Sequence, residues 1–332
     1  MTAKKHLPIL DFLRCIACLG VCAIHMHYVS GLWEYKFTSK IITYGQQGVA
    51  VFFVISGFVI PYSLWNAGYA LRDFFRFLLR RIARIDPCYC VVILICLTYY
   101  CDWSNINWKQ FAFHFFYLIP FSKYTWYVGV FWTLAIEFQY YLIIGLIFAW
   151  LKKGNIYVVC AALMLAACIG YFIPLDKAYS YIIMHLHYFV IGILCFLYKI
   201  DRISLRAVHV LLAFILVYLC VRVSNVTGVA GYVPGVLILH ANFKTRLTDF
   251  FSKISYSLYL IHSFASDIVL KMLGNYHLMN RYFLFLILML GDIFAAYLLY
   301  VVIERPSLKL SKKIKIKSSK QEAQFAVRTI EQ

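Results

Sequence analysis

Ten apolar runs, most near the length of a membrane crossing, follow one another along this chain of 332 residues. They are Leu7–Val29, Val49–Leu64, Ile85–Cys101, Trp126–Leu151, Ile156–Ile173, Tyr179–Tyr198, Val208–Val223, Val226–His240, Ile254–Leu273 and Tyr282–Ile303. A run of about 20 apolar residues crosses the hydrocarbon core as a helix, because a helix pairs every backbone polar group within its own segment. The sequence therefore predicts an all-α polytopic membrane protein with about ten transmembrane helices and no separate soluble domain. A mean hydropathy of +0.77 and 63% hydrophobic residues agree with that class. The eighth run is short and interrupted by Gly228, Gly231, Pro234 and Gly235, which predicts an irregular span. Phe111–Phe121 is apolar but too short to cross, so it is expected at the interface or as a re-entrant piece.

The formal charge of +18 raises the question of nucleic acid, and the placement of the charge answers it. Basic residues fall in short clusters between the apolar runs, the pattern that sets membrane orientation. With the N-terminus inside, 23 of the 32 Lys and Arg lie in inside segments, eight lie outside or at outer span ends, and Arg14 lies in the membrane. Omitting the eighth span would put the basic C-terminal segment outside, so the span is kept. Residues 1–306 then form one transmembrane domain and 307–332 a basic cytoplasmic tail, whose alternating Lys and apolar residues suit anionic headgroups. Lys4 and Lys5 before an apolar run resemble a signal peptide, but Asp11 and Arg14 interrupt that run, and the first span is expected to be retained.

Asp11, Arg14 and His25 lie within one span. Intramembrane ionisable groups cost roughly 2.5–3.5 kcal/mol near the centre and mark function. Arg14 and His25, eleven residues apart, share a helix face about 16 Å apart along the axis. Arg14 is also three residues from Asp11, close enough for an ion pair. Cys18, Cys22 and His25 share a face as well, which opens a soft-metal reading beside the plainer one of small packed thiols. Five arginines, Arg72, Arg76, Arg80, Arg81 and Arg84, crowd thirteen residues, more than orientation alone requires. Glu137 sits mid-span between Thr133 and Tyr141 on one polar stripe. Asp267 and Asp292 are further acids in or near the membrane, and His185 and His187 are read as interfacial.

Five local patterns occur in one order: LRCIACLGVCAIH, GVAVFFVISGFVI, RRIARIDPCY, FWTLAIEFQYYL and ISYSLYLIH, closed by Glu304, Arg305 and Pro306. Together they resemble acyltransferase family 3, the membrane O-acyltransferases that include bacterial surface-polysaccharide O-acetyltransferases. Cys15 and Cys18 depart from the small residues common there, and Phe138 stands where many members carry a second acid. The resemblance implies transfer of an acyl group, often acetyl, from cytoplasmic acyl-CoA to a hydroxyl of a free or lipid-linked saccharide. It places the protein in a bacterial inner membrane with both termini cytoplasmic. Acyl-CoA is then a donor substrate, with no resident cofactor, no metal and no nucleic acid partner expected.

His25 is the expected general base, since an imidazole titrates near neutrality and a sugar hydroxyl must lose its proton as it attacks. Glu137 is the second expected catalytic residue, orienting His25, binding the acceptor or pairing with a buried cation. Arg14, Arg81 and Arg84 are expected to hold the phosphates or pantetheine amides of the donor. His262 and Ser255, in the last pattern, are expected to pack helices or anchor a loop. The rival reading is a transporter or flippase for an anionic or acyl-bearing solute, with Asp11, Arg14 and Glu137 along its path. No clear internal repeat favours it.

Overall fold

A computed structural model describes residues 7–100, 106–172 and 181–316. Lys4, Lys5, Cys101, Ile173, Lys177, Tyr179 and the tail beyond residue 316, all named above, lie outside the described residues. Within them the chain is helical, with no strand. The α-helices are α1 Pro8–Val29, α2 Lys36–Ile42, α3 Gly48–Asn66, α4 Phe74–Tyr100, α5 Trp108–Phe115, α6 Trp132–Lys153 and α7 Ile156–Ile169. They continue with α8 Leu186–Lys199, α9 Leu205–Arg222, α10 Asn225–His240, α11 Arg246–Leu273, α12 Arg281–Leu299 and α13 Arg305–Lys313.

A helix occupies each of the ten expected runs. Seven segments are long and apolar enough to cross a membrane, while α7 and α10 are apolar but shorter. Helix α11 has the length to cross but carries Arg246, Asp249, Lys253, Asp267 and Lys271. The α5 segment is only eight residues long, as expected for a piece that does not cross. The connections after α6 and after α8 meet at one end of the bundle. There Arg202 donates to the carbonyls of Lys152 and Gly154, and Lys152 lies over the Trp65 ring at 5.1 Å. At the opposite end Arg281 reaches the Gly31 carbonyl at 2.7 Å and pairs with Glu34.

Two cores share α1. One joins the first half of α1 to α3, α6, α7, α8, α9 and α10, and the other joins its second half to α4, α11 and α12. Val49, Phe52, Ile85 and Phe138 pack against both. Helices α3 and α8 meet backbone to backbone, because a methyl at Gly57 or Gly192 would collide with the carbonyl of Phe189 or Val54. Close approach through small residues is how helices associate where no hydrophobic effect drives them.

Two boundaries and one burial differ from the sequence reading. The Arg72–Arg84 stretch, expected as a loop, is mostly helix, because α4 begins at Phe74 and extends its first turns past the apolar run. Arg, Leu, Ile and Ala are good helix formers, so nothing in that stretch stops the helix. The fourth span starts at Trp132 rather than Trp126, because His114 holds the preceding backbone out of a helix. Its Nε2 accepts from the Tyr127 N–H at 3.1 Å, and the two rings stack at 4.1 Å. His187, read as interfacial, is buried inside the bundle. His185 packs on Phe53 and Trp132 at 5.3 Å from each.

Candidate active site

The junction of the two cores holds a cavity walled by α1, α3, α4, α6 and α11. Arg14, Arg81 and Arg84 line it with Ser56, Glu137 and Tyr141. Two of the helices each present a pair of these residues by their own periodicity. Arg81 and Arg84 are three apart on α4, and Glu137 and Tyr141 four apart on α6, so each pair shares a face. Glu137 Oε1 accepts from the Tyr141 hydroxyl at 2.6 Å and from Ser56 at 3.1 Å.

The three arginines differ in what holds them. Arg14 lies 3.9 Å from Asp11, which also accepts from Ser252 at 2.7 Å, so the local ion pair exists but is long. Arg81 is buried, with its guanidinium over the rings of Phe77 and Tyr141 at 5.4 and 5.5 Å. Its Nε has no hydrogen-bond partner, and neither Arg81 nor Arg84 forms an ion pair among the described residues. Buried cations are usually paired, so two guanidiniums without an ion pair at a cavity are placed to meet an anion.

His25 stands outside this cluster, half-buried, where two larger cavities meet. One, the larger, is lined by Tyr28, Gln46, Gln47, Trp132, His185 and Thr227 among others. The other is lined by Gln110, Thr125, Trp126, Tyr127 and Ser263 among others. His25 makes no hydrogen bond among the described residues. The larger of these cavities and the arginine cavity share Val49, Phe53 and Tyr259 as walls. Those three side chains form a wall shared by the two spaces, the neck, where the Tyr259 and Thr133 hydroxyls bond at 2.8 Å.

The structure thus brings Arg14, Arg81, Arg84 and Glu137 together and sets His25 on the far side of the neck. One expected role for Glu137, orienting His25, is not what the geometry contains. Its bonded oxygen is committed to Ser56 and Tyr141, and it sits among the arginines. The metal reading built on Cys18, Cys22 and His25 also finds its ligands engaged elsewhere. Cys18 donates to the Cys15 carbonyl at 3.3 Å and Cys22 to Asp292 at 3.3 Å. No group of three potential metal ligands occurs among the described residues.

Sequence reasoning missed His114 and Tyr259 and read His262 as packing. Tyr259 and His262 are three apart on one helix, which is a legible signal for a shared polar face. His114 carried none, since its partners Tyr89 and Tyr127 come from the segments on either side of it.

Comparison with known proteins bears on what this arrangement does. The O-acetyltransferase OatA of Staphylococcus aureus (strain NCTC 8325 / PS 47) is 28% identical over 177 residues, covering 46% of this chain and 26% of that protein. The OatA proteins of strains COL and MRSA252 match to the same extent. The chain thus spans about a quarter of the length of the curated relatives it matches. No solved structure matches. The profile of an acyltransferase domain, acyltransferase family 3, matches residues 7–301, and the chain belongs to that family of membrane acyltransferases.

Proposed function

We propose that the protein is a membrane O-acyltransferase that moves an acyl group, acetyl first among candidates, from acyl-CoA to a saccharide hydroxyl. The carrying observation is that two guanidiniums without an ion pair and an imidazole without a hydrogen bond line neighbouring cavities that share one wall. A CoA ester has that polarity, with phosphates at one end and a reactive thioester at the end of a long neutral arm. The basic end of the bundle is the cytoplasmic side in this reading, since acyl-CoA is cytoplasmic and Lys and Arg favour that face.

Arg81 and Arg84 take the donor's phosphates, with Arg14 beside them. Glu137, bonded to Ser56 and Tyr141, fixes the wall that positions the guanidiniums. The pantetheine arm passes the neck at Val49, Phe53 and Tyr259 and presents the thioester to His25. His25 takes the proton of the acceptor hydroxyl as its oxygen attacks the thioester carbonyl. The carbon–sulfur bond breaks, the thiolate leaves, and the imidazolium returns its proton to sulfur. An apolar groove between α1, α3 and α10 adjoins the His25 cavity and shares Gln47 with it, which suits an acceptor carried on a lipid in a bacterial inner membrane.

The test supplies acetyl-CoA labelled in the acetyl group to membranes that contain the cell's own envelope glycans. Label should appear in base-labile form on glycan only with the protein present. A general base contributes roughly 10²–10⁴-fold, so His25→Ala should remove the product at normal protein abundance. Solute uptake with no covalent product would replace this reading with the transporter. Undiminished transfer by His25→Ala would leave the enzyme and remove His25 from its chemistry.

A further inference from the structure

His262 lies on α11, three residues beyond Tyr259 of the neck, and is fully buried. Its Nδ1 is 3.1 Å from the Leu258 carbonyl oxygen and 2.9 Å from that of Tyr259. A carbonyl only accepts, so Nδ1 carries a hydrogen. A second hydrogen on Nε2 would make a buried cation with nothing to bond, which is far costlier than a neutral ring. Nε2 therefore holds a lone pair. That atom is buried and has no hydrogen-bond partner. Unpaired buried acceptors are uncommon, and each calls for a reason.

The reason lies against the same ring. His25 packs on His262 with centroids 4.8 Å apart and planes at 54°. His25 has one N–H and one lone pair to place, and no other described residue fixes which nitrogen holds which. We propose that His262 is the positioning residue of His25. Its Nε2 accepts the N–H of His25 and so leaves the other His25 nitrogen unprotonated toward the acceptor. The backbone carbonyls of Leu258 and Tyr259 fix the tautomer of His262, and His262 fixes that of His25. Bonds of this kind are often open before substrate binds and close in the reacting complex. The proposal rests on the reading of His25 as the base.

Two near-isosteric variants separate this role from packing. His262→Asn keeps an amide donor near the Leu258 and Tyr259 carbonyls but has nothing where Nε2 was. His262→Gln reaches the Nε2 position and offers a carbonyl oxygen to His25. Both are compared with wild type and His25→Ala in the labelled acetyl-CoA transfer to envelope glycan, per folded and monodisperse molecule. Loss of a tautomer-setting partner removes a large part of general-base catalysis, so His262→Asn should lose on the order of 10²-fold in kcat with KM for acetyl-CoA unchanged. His262→Gln should recover most of that loss. Equal rates in Asn and Gln, or a loss carried by KM, would make His262 a packing residue and overturn the proposal while leaving His25 as base. Full activity of His25→Ala would overturn the reading beneath it as well, so the two failures are told apart.

Discussion

The arginine cavity and the histidine cavities are built on opposite plans, although the first and the larger of the second share a wall. On the arginine side polar groups are dense and largely committed to one another. Glu137 is bonded to Ser56 and Tyr141, and Arg14 faces Asp11. The guanidiniums of Arg81 and Arg84 have no ion pair among the described residues. On the histidine side the space is larger, and His25 leaves both ring nitrogens unbonded among the described residues. A donor of fixed charge can be met by a rigid cluster, because phosphate recognition depends on preset charge. A base must keep a lone pair free and change protonation during the reaction, so it cannot be committed to the same cluster. Separation lets each end meet its own requirement.

The most damaging change should be one that leaves both ends intact and blocks what joins them. Val49 lines both cavities and packs against both cores, so Val49→Trp fills the neck. Misplacement of reacting groups by about 1 Å can cost on the order of 10²-fold, and a blocked thioester should cost at least that in transfer. Binding of labelled CoA to the arginine cavity should persist, which also reports that the protein is folded. If transfer survives the filled neck, the two cavities do not serve one reaction.

The arginine end should answer differently. Each charge-assisted contact is worth roughly 1.5–3 kcal/mol, so Arg81→Ala or Arg84→Ala should weaken the donor by about tenfold or more. The loss should fall on KM and be largely restored by saturating acetyl-CoA, because both substrate and transition state lose the same contact. Acetyl-pantetheine, which lacks the nucleotide phosphates, should be little affected. Equal losses with both donors would make these arginines structural and erase the contrast between the two ends.

The parts of this arrangement that sequence made legible are those written along one helix. The ten apolar runs, the Arg81–Arg84 spacing and the Thr133, Glu137 and Tyr141 stripe depend on local periodicity, and the structure contains each. The missing parts depend on contacts between distant segments. Nothing along α1 reveals that His25 meets His262, a residue 237 positions later, or that Cys22 is bonded to Asp292 rather than free for a metal. Nor does α6 alone reveal that Glu137, for which three roles were open, is bonded to Ser56 of α3.

The smallest effect should come from the wall of the third cavity. His114 lies on α5, outside the membrane-spanning helices, and its Nε2 holds the Tyr127 N–H while its ring stacks on Tyr127. This acceptor role requires an unprotonated Nε2, and burial pushes the imidazole down to about 4. The folded state therefore binds fewer protons than the unfolded state between the ordinary histidine value near 6.5 and about pH 4. Stability rises with pH wherever the unfolded state holds more protons. The neutral His114 contribution is thus complete above about pH 6.5 and is lost as the pH falls toward 4, with almost no effect at neutral pH. His114→Gln keeps an acceptor for the Tyr127 N–H but does not titrate. Thermal unfolding of the two proteins from pH 7 to pH 4 should therefore diverge, the wild type falling more steeply below about 6.5. Parallel curves would show that Tyr127 is held without His114, and that this cavity wall owes its shape to packing alone.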